Sequence, residues 1–135
     1  MANQLPPMIS RFIDTLESSY TICDYMFDSG SFGNMVLLLR SEHVCFRLVS
    51  DRDQWSIEIA DPLKPDEWYD MALIISFMTE SETDITSIDE QVVFALAELP
   101  RIEKLFEIQT RLHTHSNLVR LRKQRVRRRL PDFFK

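Results

Sequence analysis

The first apolar residues of the chain recur every three or four positions, which is the spacing of one face of an α-helix. They are Met8, Ile9, Phe12, Ile13, Leu16, Tyr20, Cys23 and Met26. Pro6 and Pro7 precede them and suit a first helical turn, where a backbone N–H has no helical partner. The pattern predicts an amphipathic helix over residues 7–26, followed by a turn at residues 28–31.

Three runs rich in valine, isoleucine, leucine and phenylalanine follow this turn, with short polar breaks between them. They are Asn34–Arg40, His43–Ser50 and Gln54–Ala60. Strand-like runs this close together predict an antiparallel meander of three strands.

The register of the meander follows from its loops. Two-residue loops at 41–42 and 52–53 place apolar residues opposite one another on a single face. The predicted pairs are Leu39 with Val44, Leu37 with Phe46, Met35 with Leu48, Leu48 with Ile57, and Phe46 with Ile59. On the other face, Arg47 would lie opposite Glu58 as a cross-strand ion pair.

The second face of this meander is too apolar for open solvent. It carries Val36, Leu38, Cys45 and Val49. Because a one-sided sheet exposes mainly polar residues on its free face, we expect a later helix, a second subunit or a partner to cover it.

The remainder of the chain predicts helices. Asp66 suits the N-cap of a helix through Met78. Ser87 and Glu90 form a capping-box pattern at the start of a second helix. Pro100 ends that helix and can start a last one, whose apolar stripe extends into the basic tail. The predicted fold is α+β: an N-terminal helix, a three-stranded antiparallel meander and a helical C-terminal half, in the order αβββααα.

Charge divides the chain more sharply than hydropathy does. The 135 residues, of which 44% are apolar, carry a net charge of −5. Residues 1–110 contain 7 Lys/Arg and 20 Asp/Glu, a net −13, whereas residues 111–135 contain 9 Lys/Arg and 1 Asp, a net +8. We predict one domain, with residues 1–110 as its acidic α+β body and residues 111–135 as its basic helical extension.

Cysteine usage and the absence of a leader pattern bear on the compartment. Cys23 and Cys45 fall within apolar segments, and we expect two buried, reduced thiols. Residues 1–7 lack the basic and apolar regions of a signal peptide. The longest apolar window, residues 71–78, is far shorter than the ~20 residues of a membrane span. A cytoplasmic protein that does not contact the membrane is the expectation.

Two acidic groups are the candidates for contact with a partner. Asp51, Arg52 and Asp53 lie at a predicted hairpin tip, while the second group is Asp66, Glu67 and Asp70. Each group has a structural explanation, since aspartate favours turns and carboxylates in a first helical turn complement the helix dipole. The functional alternative is that these six residues contact a basic protein.

Catalytic and metal-binding patterns receive no support. His113 and His115 are two residues apart, whereas zinc ligands on a helix are three or four apart, and two exposed histidines are expected instead. The chain contains no G-x-S-x-G motif and no glycine-rich phosphate loop. We expect no catalytic, cofactor-binding or metal-binding residue, and a protein that is not an enzyme.

The basic segment has several interpretations. Its candidate nucleic-acid contacts are Arg120, Arg122, Lys123, Arg125, Arg127, Arg128 and Arg129. Such a helix can neutralise phosphates, although no aromatic residue for base stacking occurs between Glu107 and Asp132. Alternatively, the cations complement a helix C-terminus, or the tail docks on the acidic body of its own chain or of a neighbour in a homodimer.

Residues 32–75 resemble a group of small bacterial proteins. The resemblance is carried by Phe32–Asn34, by Phe46–Trp55, which reads FRLVSDRDQW, and by Trp68–Met71. Some members of the group are encoded beside polymorphic or contact-dependent toxins and are regarded as immunity proteins. Their Asp-Arg pair is usually followed by glycine, and Asp53 stands at that place here. The resemblance implies tight inhibitory binding to a cognate toxin, often a basic nuclease.

The leading hypothesis is therefore a non-enzymatic, immunity- or antitoxin-like binding protein with an acidic face for a basic partner. A nucleic-acid-binding or regulatory protein that uses the arginine-rich helix is the second hypothesis. A homo-oligomeric structural protein whose tails clamp onto neighbouring subunits is the third.

Overall fold

The computed structural model describes residues 5–28, 34–52, 54–83 and 87–130, with only the backbone described for residues 24–28. Its elements, in chain order, are α1 (Pro7–Leu16), β1 (Thr21–Asp28), β2 (Asn34–Arg40), β3 (Cys45–Asp51), β4 (Gln54–Ala60), β5 (Trp68–Asp70), α2 (Met71–Thr79), α3 (Ile88–Ala97), α4 (Leu99–Ile102) and α5 (Arg111–Arg129). The α+β class is as predicted, but the architecture is not.

The sheet has five antiparallel strands in the order β1-β2-β3-β4-β5, rather than the three of the predicted αβββααα arrangement. The first correction is at residues 21–28, which form β1 instead of the second half of an N-terminal helix. Helix α1 ends at Leu16, just before Ser18 and Ser19. The sequence TICDYMFD of β1 is rich in the β-branched and aromatic residues that favour strands, which outweighs its partial match to a helical period.

The second correction is at residues 66–70. Trp68 pairs with Ala60 and Asp70 pairs with Glu58, so these residues form strand β5 at the edge of the sheet. Helix α2 begins at Met71, and Asp70 rather than Asp66 occupies its N-cap position, without a side-chain capping bond. A strand of three residues is too short to show a period of two, which is why the sequence pattern does not reveal it.

The second hairpin has the predicted register. Leu48 pairs with Ile57, Phe46 with Ile59 and Arg47 with Glu58. The first hairpin is displaced by two residues from the prediction, because Leu39 pairs with Phe46 and Leu37 with Leu48. Its loop is longer than two residues: the Ser41 N–H donates to the Val44 carbonyl, and the Ser41 Oγ accepts from the N–H groups of His43 and Val44. Serine favours such turns through side-chain bonds to the backbone.

The hydrophobic core lies between one face of the sheet and the helices. Helix α1 contributes Ile9, Phe12 and Leu16, all with no exposed surface. The sheet and the other helices contribute further fully buried residues, among them Leu39, Phe46, Leu48, Ile57, Ile59, Tyr69, Ile74, Val92, Ala95, Ile102 and Leu118. This inner face alternates along each strand with an outer face, as the pleat of a strand requires.

The C-terminal half matches the prediction only in part. The capping box of Ser87 and Glu90 is confirmed. Pro100 interrupts the helix as expected, but α4 has four residues and the chain then turns before α5 begins at Arg111. Ile108 and Leu112 are 86% and 81% exposed, so the predicted continuous apolar stripe is wrong in this region.

Cysteine burial also departs from expectation at one position. Cys45 is buried and Cys23 is exposed, and both thiols are free. Burial is the main reason why the pKa of Cys45 is raised. None of the helices in the described ranges has the length and hydropathy needed to cross a membrane.

The observed register of the first hairpin predicts a specific disulfide. Arg40 pairs with Cys45 across β2 and β3, so Arg40→Cys in a Cys23→Ser background is expected to form an intramolecular disulfide with Cys45 upon mild oxidation. Leu38→Cys in the same background is the matched control. In the observed register, position 38 lies diagonally from Cys45. In the predicted register with a two-residue loop, position 38 would lie directly opposite Cys45. Mass spectrometry of thiol-labelled protein distinguishes them, and a disulfide formed by Leu38→Cys but not by Arg40→Cys would contradict the observed pairing.

Candidate functional site

A fully buried carboxylate stands at the junction of the sheet and helix α5. Asp61 follows β4 directly and has no exposed surface. Its Oδ2 accepts hydrogen bonds from Arg111 Nε at 2.7 Å and from His115 Nε2 at 2.9 Å, and its Oδ1 accepts one from the Leu63 N–H at 2.9 Å. A charge this deeply buried is stable only when it is paired and hydrogen-bonded, and Asp61 meets both conditions through α5 and its own loop.

The pKa of Asp61 reflects these contacts. Burial by itself would raise it, but the hydrogen bonds from His115, the Leu63 N–H and Arg111, together with the charge of Arg111, lower the pKa below its ordinary value. The carboxylate is therefore ionised at neutral pH and acts only as an acceptor.

His115 extends this network to the sheet. Because an ionised carboxylate cannot donate, Nε2 carries the proton shared with Asp61, and in the neutral ring Nδ1 accepts from the Tyr69 hydroxyl at 2.7 Å. Tyr69 has no exposed surface, and its burial, followed by the charge of Glu67, raises its pKa to about 12. Carboxylate, imidazole and hydroxyl follow one another as in a catalytic triad, but the buried position of this hydroxyl suits a structural bond between α5 and β5.

Further cations of α5 hold it along edge strand β5. Arg122 donates to the Trp68 carbonyl at 2.6 Å, with its guanidinium carbon 4.7 Å from the centre of the Tyr69 ring. Arg125 forms a two-pronged ion pair with Asp70, both distances being 2.8 Å. Arg128 pairs with Glu82 at 2.7 Å. Arg122, Arg125 and Arg128, which are among the cations predicted to contact nucleic acid, thus contact the body of the protein.

The outer sheet face is the face of the sheet opposite the core. We define it by Val36, Leu38, Cys45, Arg47, Val49, Glu58, Trp68 and Asp70, which alternate with the core residues of strands β2 to β5. Val36, Leu38 and Val49 keep part of their surface exposed, whereas Cys45 is buried. A later helix is one of the expected covers for this face, and α5 reaches it at the β5 edge, where Arg125 pairs with Asp70.

Arg47 organises the centre of the outer sheet face. Its guanidinium bonds Glu58 through Nε and Nη2, each at 2.6 Å, which confirms the predicted cross-strand pair. The same guanidinium lies over the Trp68 ring, 4.4 Å from the ring centre. Salt bridge and cation–π contact together hold both long side chains in place.

Five of the six residues predicted to contact a partner are described by the structure, and these five do not all line one surface. Asp51 and Asp70 line a common cleft of about 360 Å³ beside the edge of β4. Arg52 has a positive φ of 53° and its N–H donates to Asn34 Oδ1, as a tight turn requires. Asp66 is exposed and Glu67 half-buried in the loop between β4 and β5, away from the hairpin tip. Asp53 lies outside the described residues.

The Gln91 side chain bonds the backbone of β4 at the edge of the sheet that lines the cleft of Asp51 and Asp70. The Ile57 N–H donates to Gln91 Oε1 at 2.8 Å, where β5 no longer pairs with β4. A buried amide therefore satisfies an edge N–H that could otherwise pair with another strand.

The sequence pattern does not reveal Asp61, Tyr69 and His115 as one unit. His115 was expected to be exposed and is 7% exposed, while His113 is exposed, as predicted, with its ring centre 6.0 Å from that of Phe77. The local signal is the position of Asp61 directly after the apolar residues Ile59 and Ala60, which end strand β4. Its partners lie 50 and 54 residues away, so no spacing rule identifies them.

Within the described ranges, no three histidine, cysteine, aspartate or glutamate residues are grouped so that they could hold a metal ion. Comparison with protein-family models, with curated proteins and with solved structures finds no match to this chain.

Replacing the buried carboxylate is expected to destabilise the whole domain. Asp61→Asn leaves the Arg111 charge without its buried partner, which costs about 3 kcal/mol of unfolding free energy at pH 7. Asp66→Asn, the same change at an exposed loop position, should alter it by about 0.5 kcal/mol or less. Urea unfolding followed by circular dichroism measures both.

The pH dependence of that difference tests the charge directly. Because folding lowers the pKa of Asp61, its stabilisation is complete above the ordinary aspartate pKa of about 3.9 and is lost as the pH falls from there through the folded value. The advantage of the native protein over Asp61→Asn should therefore shrink below about pH 4. An advantage that is equal at pH 7 and pH 3 would show that the ionised carboxylate is not responsible.

Proposed function

We propose that this protein is a non-enzymatic protein-binding module of immunity or antitoxin type, and that it engages a basic protein through the outer sheet face. The observation that carries the proposal is the arrangement of Arg47, Trp68 and Glu58 beside the partly exposed side chains of Val36, Leu38 and Val49.

The composition of this face is that of a binding hot spot. Tryptophan and arginine contribute most of the binding energy in many interfaces, particularly where apolar neighbours exclude water. Since Arg47 is already held by Glu58 and stacked on Trp68, binding would cost little additional side-chain entropy.

Charge on the outer sheet face is balanced within the protein. Glu58 is paired with Arg47, and Asp70 with Arg125. Covering these residues with a partner therefore leaves no unpaired buried charge, which is the usual penalty for burying ions.

The net charge of residues 1–110, −13, favours a basic partner. A surrounding field of one sign accelerates encounter with the opposite charge and disfavours partners of like charge. The resemblance of residues 32–75 to immunity proteins supports the same proposal, since the targets of such proteins are often basic nucleases.

Binding is expected to depend on the centre of the outer sheet face. The probes are the purified products of the reading frames adjoining the gene, titrated by calorimetry. We expect one basic product to bind, and Leu38→Asp to weaken its binding by at least about 100-fold, equivalent to about 2.7 kcal/mol. Leu63→Asp, the same change at a loop leucine that is 70% exposed, is the matched control and should bind as the native protein does.

Three results would contradict the proposal. The first is equal binding by the native protein and by Leu38→Asp, and the second is no binding by any adjoining product. The third is a native dimer, seen by analytical ultracentrifugation, that Leu38→Asp converts to a monomer, because a second copy would then cover this face.

A further inference from the structure

A second surface runs along α5 beside the loop that follows β4. Four cationic side chains line one groove there, of about 590 Å³: Lys64, Arg120, Lys123 and Arg127. Lys64 comes from the loop after β4, so the fold brings it to cations that are more than 50 residues away in sequence. Glu67 is the one carboxylate among the described residues that line the groove, which leaves a net charge of +3.

We propose that this basic groove binds the phosphate backbone of a double-stranded nucleic acid. Positions 120, 123 and 127 lie on one side of a helix and extend over about 10 Å of its axis. No aspartate or glutamate occurs anywhere in residues 111–130. A duplex carries one negative charge for about every 1.7 Å of its axis, so such a row of cations can neutralise several phosphates at once.

The chemistry of the groove favours a nucleic acid over an acidic protein. Protein interfaces are depleted in lysine, whereas interfaces with nucleic acids are strongly positive. Lys64 and Lys123 are both exposed, and they provide point charges that suit phosphate oxygens.

A duplex fits better than a single strand because base stacking has no platform here. The groove contains no phenylalanine, tyrosine or tryptophan among its described lining residues, and its one aromatic ring, His115, is occupied by Asp61 and Tyr69. Contacts would therefore be to the backbone and independent of sequence.

Three other cations of α5 have partners in the body of the domain. Arg122, Arg125 and Arg128 bind the Trp68 carbonyl, Asp70 and Glu82. The arginine-rich helix thus has a side that fixes it to the domain and a side that lines the groove. The inference goes beyond the proposed function and does not depend on the outer sheet face.

Fluorescence anisotropy with labelled 20-base-pair duplexes of DNA and of RNA, over a series of NaCl concentrations, tests this proposal on the full-length protein. Phosphate contacts by Lys64, Arg120 and Lys123 predict a slope of about −2.7 in a plot of log affinity against log salt for DNA. The groove variant Lys64→Gln/Arg120→Gln/Lys123→Gln should bind at least about 10-fold more weakly at 100 mM salt, with a slope closer to zero. The better-bound duplex identifies which backbone the groove accepts.

The matched control is Arg11→Gln/Arg40→Gln/Lys104→Gln, which removes the same charge from three other exposed positions and should bind within about two-fold of the native protein. If the groove variant melts at a lower temperature, the single variants Lys123→Gln and Lys104→Gln replace the triples. Equal weakening by groove and control variants, no binding of either duplex at 50 mM salt, or equally tight binding of poly-glutamate would each overturn the proposal. Leu38→Asp should bind the duplex normally, so failure here and failure of the proposed protein-binding function are distinguishable.

Discussion

The buried carboxylate of Asp61 is the constraint on which the C-terminal half of this protein depends. A charge without solvent contact needs partners, and those partners, Arg111 and His115, both lie in the first turns of α5. Once they are in place, the rest of the helix lies along strand β5, where Arg122 and Arg125 meet the Trp68 carbonyl and Asp70. An arginine-rich segment that could otherwise be a solvated tail thereby becomes part of the domain.

This docking changes the meaning of the charge asymmetry. The net −5 of the chain is an average over an acidic body and a basic helix, and the body neutralises part of the helix through Asp61, Asp70 and Glu82. What remains is distributed over separate surfaces: the outer sheet face with its internally paired charges, and the basic groove that Lys64 completes. The two proposals concern these two surfaces and stand independently.

The sequence pattern correctly predicts the features that depend on residues close to one another in the chain. The second hairpin, the Arg47–Glu58 pair and the Ser87 capping box depend on residues that are close in sequence or directly opposite in a tight hairpin, and all three are confirmed. The predicted register of the first hairpin is wrong because its loop is longer than two residues. The Ser41 hydroxyl stabilises this longer loop by accepting bonds from the loop backbone. The prediction of a helix at β1 is wrong because Cys23 and Met26 also fit the helical period of the preceding residues.

The remaining features depend on contacts between distant segments. Strand β5 exists because three residues pair with β4, and the Asp61–His115–Tyr69 network joins residues from the loop after β4, from α5 and from β5. Neither has a local periodicity or spacing that identifies it. The apolar residues of the outer sheet face, by contrast, can be predicted from the sequence. Its Trp68 cannot be placed there from the sequence, because Trp68 lies in strand β5, which the pattern does not predict.

Amide hydrogen exchange of the full-length protein tests most directly whether the basic helix is an integral part of the fold. If Asp61 and its partners hold α5 on the sheet, the amides of residues 115–125 should exchange about as slowly as those of β3, since both then open only in global unfolding. Exchange of these amides at the rate of an unstructured peptide, with β3 still protected, would contradict this account of the structure.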